Sequence, residues 1–226
     1  MRMSNIGLLL LLLSAGPTSA DNNTYNGPFY MCPDAHGEEQ KSLFRTIDIT
    51  GMPMRIEGLG ETRLLGYGAQ IAASRSSEVM KDGDPVDKAF EKLFGTPNIM
   101  SGDENSRQLM AACFATQPPP KGDTDGPFVF MPGFLAHGDA TLPSLDSVTI
   151  PPQTYLVVSY NGTTADIGNF RFTMTEEFWP KTAPILGLER ADGPNLMIWA
   201  PGLRGNVAQA QLELWTPIKP FKINPP

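Results

Sequence analysis

The chain has 226 residues, 41% of them hydrophobic and 18% charged, with a formal net charge of −7 and two cysteines. That is enough apolar material for one large core or for two half-domains sharing one, and its basic residues are too few and too scattered to grip a phosphate backbone. Nucleic acid is excluded as the expected partner, and an acidic balance of this size serves solubility.

Residues 1–20 carry a basic start at Arg2, an apolar run over 6–13 and a small-residue end at Thr18, Ser19 and Ala20. This is the plan of a cleaved signal peptide, with an apolar run too short to span a bilayer. No later segment reads as a transmembrane anchor, so the expected address is periplasmic or secreted. In an oxidising compartment an even cysteine count favours a Cys32–Cys113 bridge. The bridge would close a loop of about eighty residues and contribute roughly 4 kcal/mol. The alternative is a buried Cys113 in its apolar run and a free Cys32.

Residues 21–60 read as an irregular N-terminal extension, with Asn22, Asn23, Pro28, Pro33 and Gly37 breaking any periodicity and one strand candidate over 43–49. A strand over 63–73 follows. Asp84 and Pro85 then look like an N-cap and a first helical position, and Val86, Ala89, Phe90, Leu93 and Phe94 share one helix face before Gly95 stops it. Strand candidates over 108–116 and 127–135 flank a Pro/Gly-rich tip, and two more cover 146–150 and 154–160. A second amphipathic helix carries Ile167, Phe170, Met174 and Phe178, with Pro180 limiting it. Strands over 195–200 and 208–216 close the chain.

The order strand, helix, strand, strand thus occurs twice. It predicts an α+β fold in which tandem units form one curved antiparallel sheet, with two helices on one face and a ligand groove on the other. In the last strand, alternation sets Glu213 and Trp215 on one face and Ala210, Leu212 and Leu214 on the other. A carboxylate beside an indole suits a half-open apolar pocket for a small apolar or cationic molecule.

Several segments carry a resemblance. Ser147 to Gly162 (SVTIPPQTYLVVSYNG), Phe178-Trp179-Pro180, Met197-Ile198-Trp199-Ala200-Pro201, Leu212 to Lys219 (LELWTPIK) and Phe128 to Leu135 (FVFMPGFL) resemble, in order and spacing, stretches of GyrI-like small-molecule-binding domains. These belong to the bacterial transcription-activator effector-binding superfamily, and the likeness covers residues 61–219. Taken with the N-terminal pattern, it divides the chain into signal peptide (1–20), extension (21–60), effector-binding domain (61–219) and C-terminal tail (220–226). The resemblance also implies that Glu213 lies at a pocket floor facing drug-like or cationic ligands, with Trp199 and Trp215 at its aromatic positions. Tyr160 and Tyr67 are further ligand-binding candidates, on strands whose inward face the pattern does not fix. Met197 and Trp199 stand where the family commonly has an acid and a tyrosine, which would make the pocket more apolar. Many relatives carry a DNA-binding helix-turn-helix; none is read in this chain, so a transcriptional role is not expected.

Near apolar rings the Glu213 pKa is expected to rise, unless a cation keeps the carboxylate ionised. Some GyrI-like proteins are hydrolases with a Glu and a Tyr in the pocket, parts that Glu213 and Tyr160 could take. No nucleophile, oxyanion site or G-x-S-x-G accompanies them, so no catalytic residue is assigned and binding is favoured over catalysis. His36 and His137 sit in polar, loop-like contexts, and no His/Cys/carboxylate cluster has ligand spacing, so neither a metal nor another cofactor is expected. A hydrolase of small reactive molecules, a haem-binding module of similar fold, and a partner-binding module whose groove is filled by its own extension stand as alternatives. The expected assembly is a monomer or weak dimer.

Overall fold

Among the described residues, side chains that alternate between two apolar layers define a sheet of ten strands. These are β1 (Thr24–Tyr25), β2 (Met54–Leu59), β3 (Thr62–Gly66), β4 (Ala69–Ile71), β5 (Leu109–Phe114), β6 (Phe128–Leu135), β7 (Asp146–Ile150), β8 (Gln153–Thr163), β9 (Asn195–Trp199) and β10 (Gln209–Pro217). The computed structural model describes residues 22–32, 44–71, 85–96, 108–118, 127–136, 144–200 and 208–220. The expected signal peptide, the tail after residue 220, His36 and His137 lie outside the described residues.

The strand order is β1-β7-β3-β6-β5-β9-β10-β8-β2, with β4 beside β6. Every pairing is antiparallel except β1 with β7. The duplication read from the sequence is visible in this order: β3-β6-β5 mirrors β8-β10-β9, and the two halves join where β5 pairs with β9. Each half owns a helix, α1 (Pro85–Gly95) in the first and α2 (Ile167–Thr173) in the second.

Connectivity forces the sheet to curl. β7 and β8 stand six strand positions apart, yet only Pro151 and Pro152 separate them in the chain. A flat sheet would set them about 29 Å apart at about 4.8 Å per strand, while the Ile150-to-Gln153 link spans at most about 11 Å. The ends must therefore swing toward each other. The inner layer bears this out: Val148 and Ile150 of β7, Leu64 of β3, Tyr155 and Val157 of β8 and Trp215 of β10 belong to one continuous buried cluster. The outer layer of the sheet packs on the helices, with Phe170 of α2 and Val86 and Phe90 of α1 against Met197, Leu212 and Leu214. A close approach inside the sheet fixes two glycines: a Cβ on Gly66 would lie 1.9 Å from the Pro132 carbonyl oxygen, and one on its partner Gly133 2.2 Å from that of Leu65.

Three local expectations shift. Residues 44–49 form no strand; their backbone is held to α2 instead, Arg45 N–H donating to Asn169 Oδ1 (3.1 Å) and Ile47 N–H to Thr173 Oγ1 (2.9 Å). The edge strand comes later, as β2. The strand over 63–73 breaks at Tyr67 and Gly68 into β3 and β4, where Asp146 Oδ2 accepts the Gly68 N–H (2.7 Å) and its Oδ1 that of Asn23 (2.7 Å). Pro180 does not stop the second helix. After Thr173 the helix loosens into a π-helix (Met174–Thr182), and Ala183 N–H bonds the Phe178 carbonyl (2.8 Å).

The extension is woven into the sheet. Tyr30 and Ala115 exchange two backbone hydrogen bonds (2.9 and 3.1 Å), and Tyr25 and Phe29 set their rings edge-on to Phe114 at 5.3 and 4.9 Å. The Cys32–Cys113 disulfide pins the same stretch, with Cα atoms 5.4 Å apart and both cysteines buried in the outer layer.

Candidate functional site

Period-2 geometry sends Glu213 and Trp215 to the inner face of β10, where register sets them opposite Ser159 and Val157 of β8. The side chains meet: Trp215 Nε1–H donates to Glu213 Oε2 at 3.0 Å. Burial falls along this face toward one end of the sheet. Trp215, Tyr155 and Val157 are buried, Glu213 and Ser159 half-buried, Gln211 and Asn161 exposed. Glu213 therefore stands at the mouth of the curl, with the apolar interior behind it.

The carboxylate already holds a cation. Arg55 of β2 reaches it from across β8, donating from Nη1 to Oε1 (2.8 Å) and from Nη2 to Oε2 (2.9 Å), while its Nε donates to Glu57 Oε2 (2.6 Å). The guanidinium also lies over the Trp215 ring, 5.6 Å from its centroid. The Glu213 pKa is expected to rise unless a cation keeps the carboxylate ionised, and the chain's own Arg55 is that cation. The Arg55 hydrogen bonds hold the Glu213 pKa below the ordinary value against the opposing effect of partial burial, with hydrogen bonds from Trp215 and Ser159 adding to the lowering. The Arg55 pKa is raised in turn, chiefly by the hydrogen bonds to Glu213. Both oxygens of the Glu213 carboxylate are thus engaged by donors.

Behind the corner, Tyr155 is fully buried with its ring 5.7 Å from that of Trp215, and its hydroxyl has no hydrogen-bond partner among the described residues. Burial alone pushes its pKa up.

Of the five ligand-binding candidates, the structure brings together Glu213 and Trp215. Trp199 pairs with Leu212, not with Glu213, and so faces the helices, its ring 5.9 Å from Phe90. Tyr160 also lies opposite Leu212, on the outer layer; it stacks on Phe170 at 4.9 Å and donates to the Thr163 carbonyl (2.7 Å). Tyr67 packs in a third cluster with Ala89 and Leu93 of α1, its hydroxyl 2.9 Å from Thr96 Oγ1 and its ring under the Lys92 ammonium at 4.1 Å. Met197 shares the outer layer with Trp199, so neither residue reaches the Glu213 corner. Sequence reasoning missed Arg55 and Glu57. Their one signal was the alternation in Met54-Arg55-Ile56-Glu57, which sets the two opposite charges on one face.

Among the described residues no three His, Cys, Asp or Glu side chains come together as a metal site, and no helix is long and apolar enough to cross a membrane.

No protein-family model matches the sequence, and no curated protein matches it. Solved structures do share its fold. An integron cassette protein from Vibrio cholerae superposes with a TM-score of 0.53 at 10% identity, over 74% of this chain and 95% of that one. A proposed bacterial transcription regulation protein from Staphylococcus aureus MU50 gives 0.51 at 15% identity, over 75% and 100%. SAV2435, solved bound to tetraphenylphosphonium, gives 0.50 at 16% identity, over 74% and 94%. At these identities the likeness is one of fold: this chain has the architecture that those proteins have.

Proposed function

We propose that this is an exported small-molecule-binding protein of the GyrI-like kind, taking a lipophilic cation at the corner formed by Glu213 and Trp215. One observation carries the reading: the corner already holds a cation of its own, Arg55, bidentate on the carboxylate and stacked on the indole. A site that satisfies a guanidinium in this way offers an incoming cation the same two partners once Arg55 swings aside, and that movement uncovers the indole face for the ligand's apolar groups. The complex of the similarly folded SAV2435 with tetraphenylphosphonium, a lipophilic cation, supports the choice of ligand class. The disulfide supports an oxidising, exported setting.

Titration with tetraphenylphosphonium, followed by tryptophan fluorescence and calorimetry, tests the reading. Binding is expected, with Glu213→Gln weakening it and Arg55→Ala strengthening it. Equal affinity in wild type and Glu213→Gln would refute the charge role.

A second reading has its own support. Phe29 and Tyr25 pack on Phe114 in the inner layer and Arg55 closes the mouth, so the extension fills positions that a ligand would otherwise contact. On this reading the fold is a self-filled, partner-binding module, and neither the wild type nor Arg55→Ala binds the cation.

A further inference from the structure

Among the described residues β2 ends the strand order, and one of its edges has no neighbouring strand there. Which backbone groups face outward follows from its pairing with β8. Ser159 N–H bonds the Pro53 carbonyl (2.9 Å), and in this register the backbone groups of Arg55, Glu57 and Leu59 turn toward β8 as well. Those of Met54, Ile56 and Gly58 therefore point away from the sheet. Met54 and Ile56 are 38% and 52% exposed, and a Cβ added to Gly58 would meet nothing within 4 Å. Six consecutive residues thus present an open, partly apolar β edge, the kind of surface that another strand completes.

We propose that a second copy of this chain docks on this edge, β2 against β2 in antiparallel pairing about a two-fold axis through Ile56. The sequence is self-complementary in that register. Ile56 meets Ile56 of the second copy, and Met54 and Gly58 meet each other, so every outward N–H and C=O of the three residues finds a partner. On the inner face Arg55 lies directly opposite the second copy's Glu57, and Glu57 opposite its Arg55, in the closer, non-hydrogen-bonded kind of pair. On the outer face Met54 falls beside a glycine, which leaves room for its side chain, and the two exposed Ile56 side chains cover each other. Sliding the strands by two residues sets Arg55 against Arg55 or Glu57 against Glu57, which like-charge repulsion disfavours. Odd shifts point backbone donors and acceptors past one another. A single closed arrangement remains, with both copies using the same surface. It does not depend on whether the Glu213 corner binds a ligand.

Sedimentation velocity on the full chain over a concentration series is the test, with amide hydrogen exchange as its residue-level readout. A reversible dimer is expected, in which Met54, Ile56 and Gly58 amides gain protection as concentration rises while Arg55 and Glu57, already bonded to β8, do not change. Ile56→Pro removes an outward donor and leaves the β8 ladder its bonds, and should abolish the dimer. Glu57→Arg faces arginine with arginine twice and should weaken it roughly tenfold or more. A single monomeric species at every concentration up to the solubility limit overturns the proposal. So does a dimer whose strength Glu57→Arg leaves unchanged, or one in which those three amides stay unprotected.

Discussion

Replacing Cys32 and Cys113 together by alanine tests how the extension contributes to the whole fold. The bridge spans 81 residues of sequence, so removing it restores to the unfolded chain the freedom of a large loop, roughly 4 kcal/mol in the loop-entropy account. The folded state keeps most of its other ties to that stretch: the paired hydrogen bonds of Tyr30 and Ala115, the rings of Tyr25 and Phe29 on Phe114, and the Asn23 N–H on Asp146. The loss should therefore appear as reduced global stability with little change in structure. Urea unfolding followed by tryptophan fluorescence is the assay, since all three indoles lie in the second half of the chain, far in sequence from the bridged stretch at Cys32. With a slope of about 2 kcal/mol/M the midpoint should fall by roughly 2 M, and the slope should rise as the unfolded chain opens further. A loss below about 1 kcal/mol would refute the reasoning, since the loop constraint would then not be felt globally. Exchange at the Asn23 and Tyr30 amides would then show the extension detaching in a separate, earlier step.

Three further outcomes are expected. Because the Glu213 pKa is lowered in the folded state, the stability it contributes is complete above the ordinary glutamate value of about 4.3 and is lost as pH falls through the folded value. The half-exposed pair limits that contribution to about 1 kcal/mol, and near-UV circular dichroism of the indoles should show an acid transition that Glu213→Gln removes. Gly66→Ala should cost about 3 kcal/mol or more, read as a lowered thermal midpoint, because the new Cβ would lie 1.9 Å from a backbone carbonyl that β6 holds in place. Tyr155→Phe deletes a buried hydroxyl that has no partner among the described residues, and chemical denaturation should show the variant about 1 kcal/mol more stable than the wild type.

What the sequence disclosed and what it withheld divide along the range of the interactions. The two helices, the strand pairs of each half and the duplicated order were legible because each rests on periodicity within a dozen residues, as in Ala89, Phe90 and Leu93 or in the alternation through Glu213 and Trp215. The phase between strands was not legible. Trp199 was assigned to the ligand side from a resemblance, and a register that sets it against Leu212 sends it to the helix side. Arg55 escaped because its meaning lies 158 residues away in Glu213, and its strand follows a segment full of prolines and glycines that reads as irregular. The π-helical turn through Pro180 was hidden for a similar reason. Local rules stop a helix at proline, whereas packing of Phe178 in the outer layer keeps this one going in a wider form.

Arg55 makes the ligand question quantitative. A cation that takes the Glu213 corner must first release a guanidinium that is bidentate on the same carboxylate, and the apparent affinity is reduced by the fraction of time the corner is free. For a half-exposed pair worth about 1 kcal/mol, Arg55→Ala should raise the affinity for tetraphenylphosphonium about fivefold. The Glu57 carboxylate, left without its Nε partner, would add to the attraction. Salt separates this competition from a merely structural role. Screening weakens both the internal pair and the external cation, so the wild-type affinity should vary less with ionic strength than that of Arg55→Ala, in which only the external attraction remains. Arg55→Lys keeps the charge and loses the fork, and should fall between the two. If Arg55→Ala binds the cation no better than the wild type at any ionic strength, the guanidinium does not compete for the corner, and the cation, if it binds, sits elsewhere.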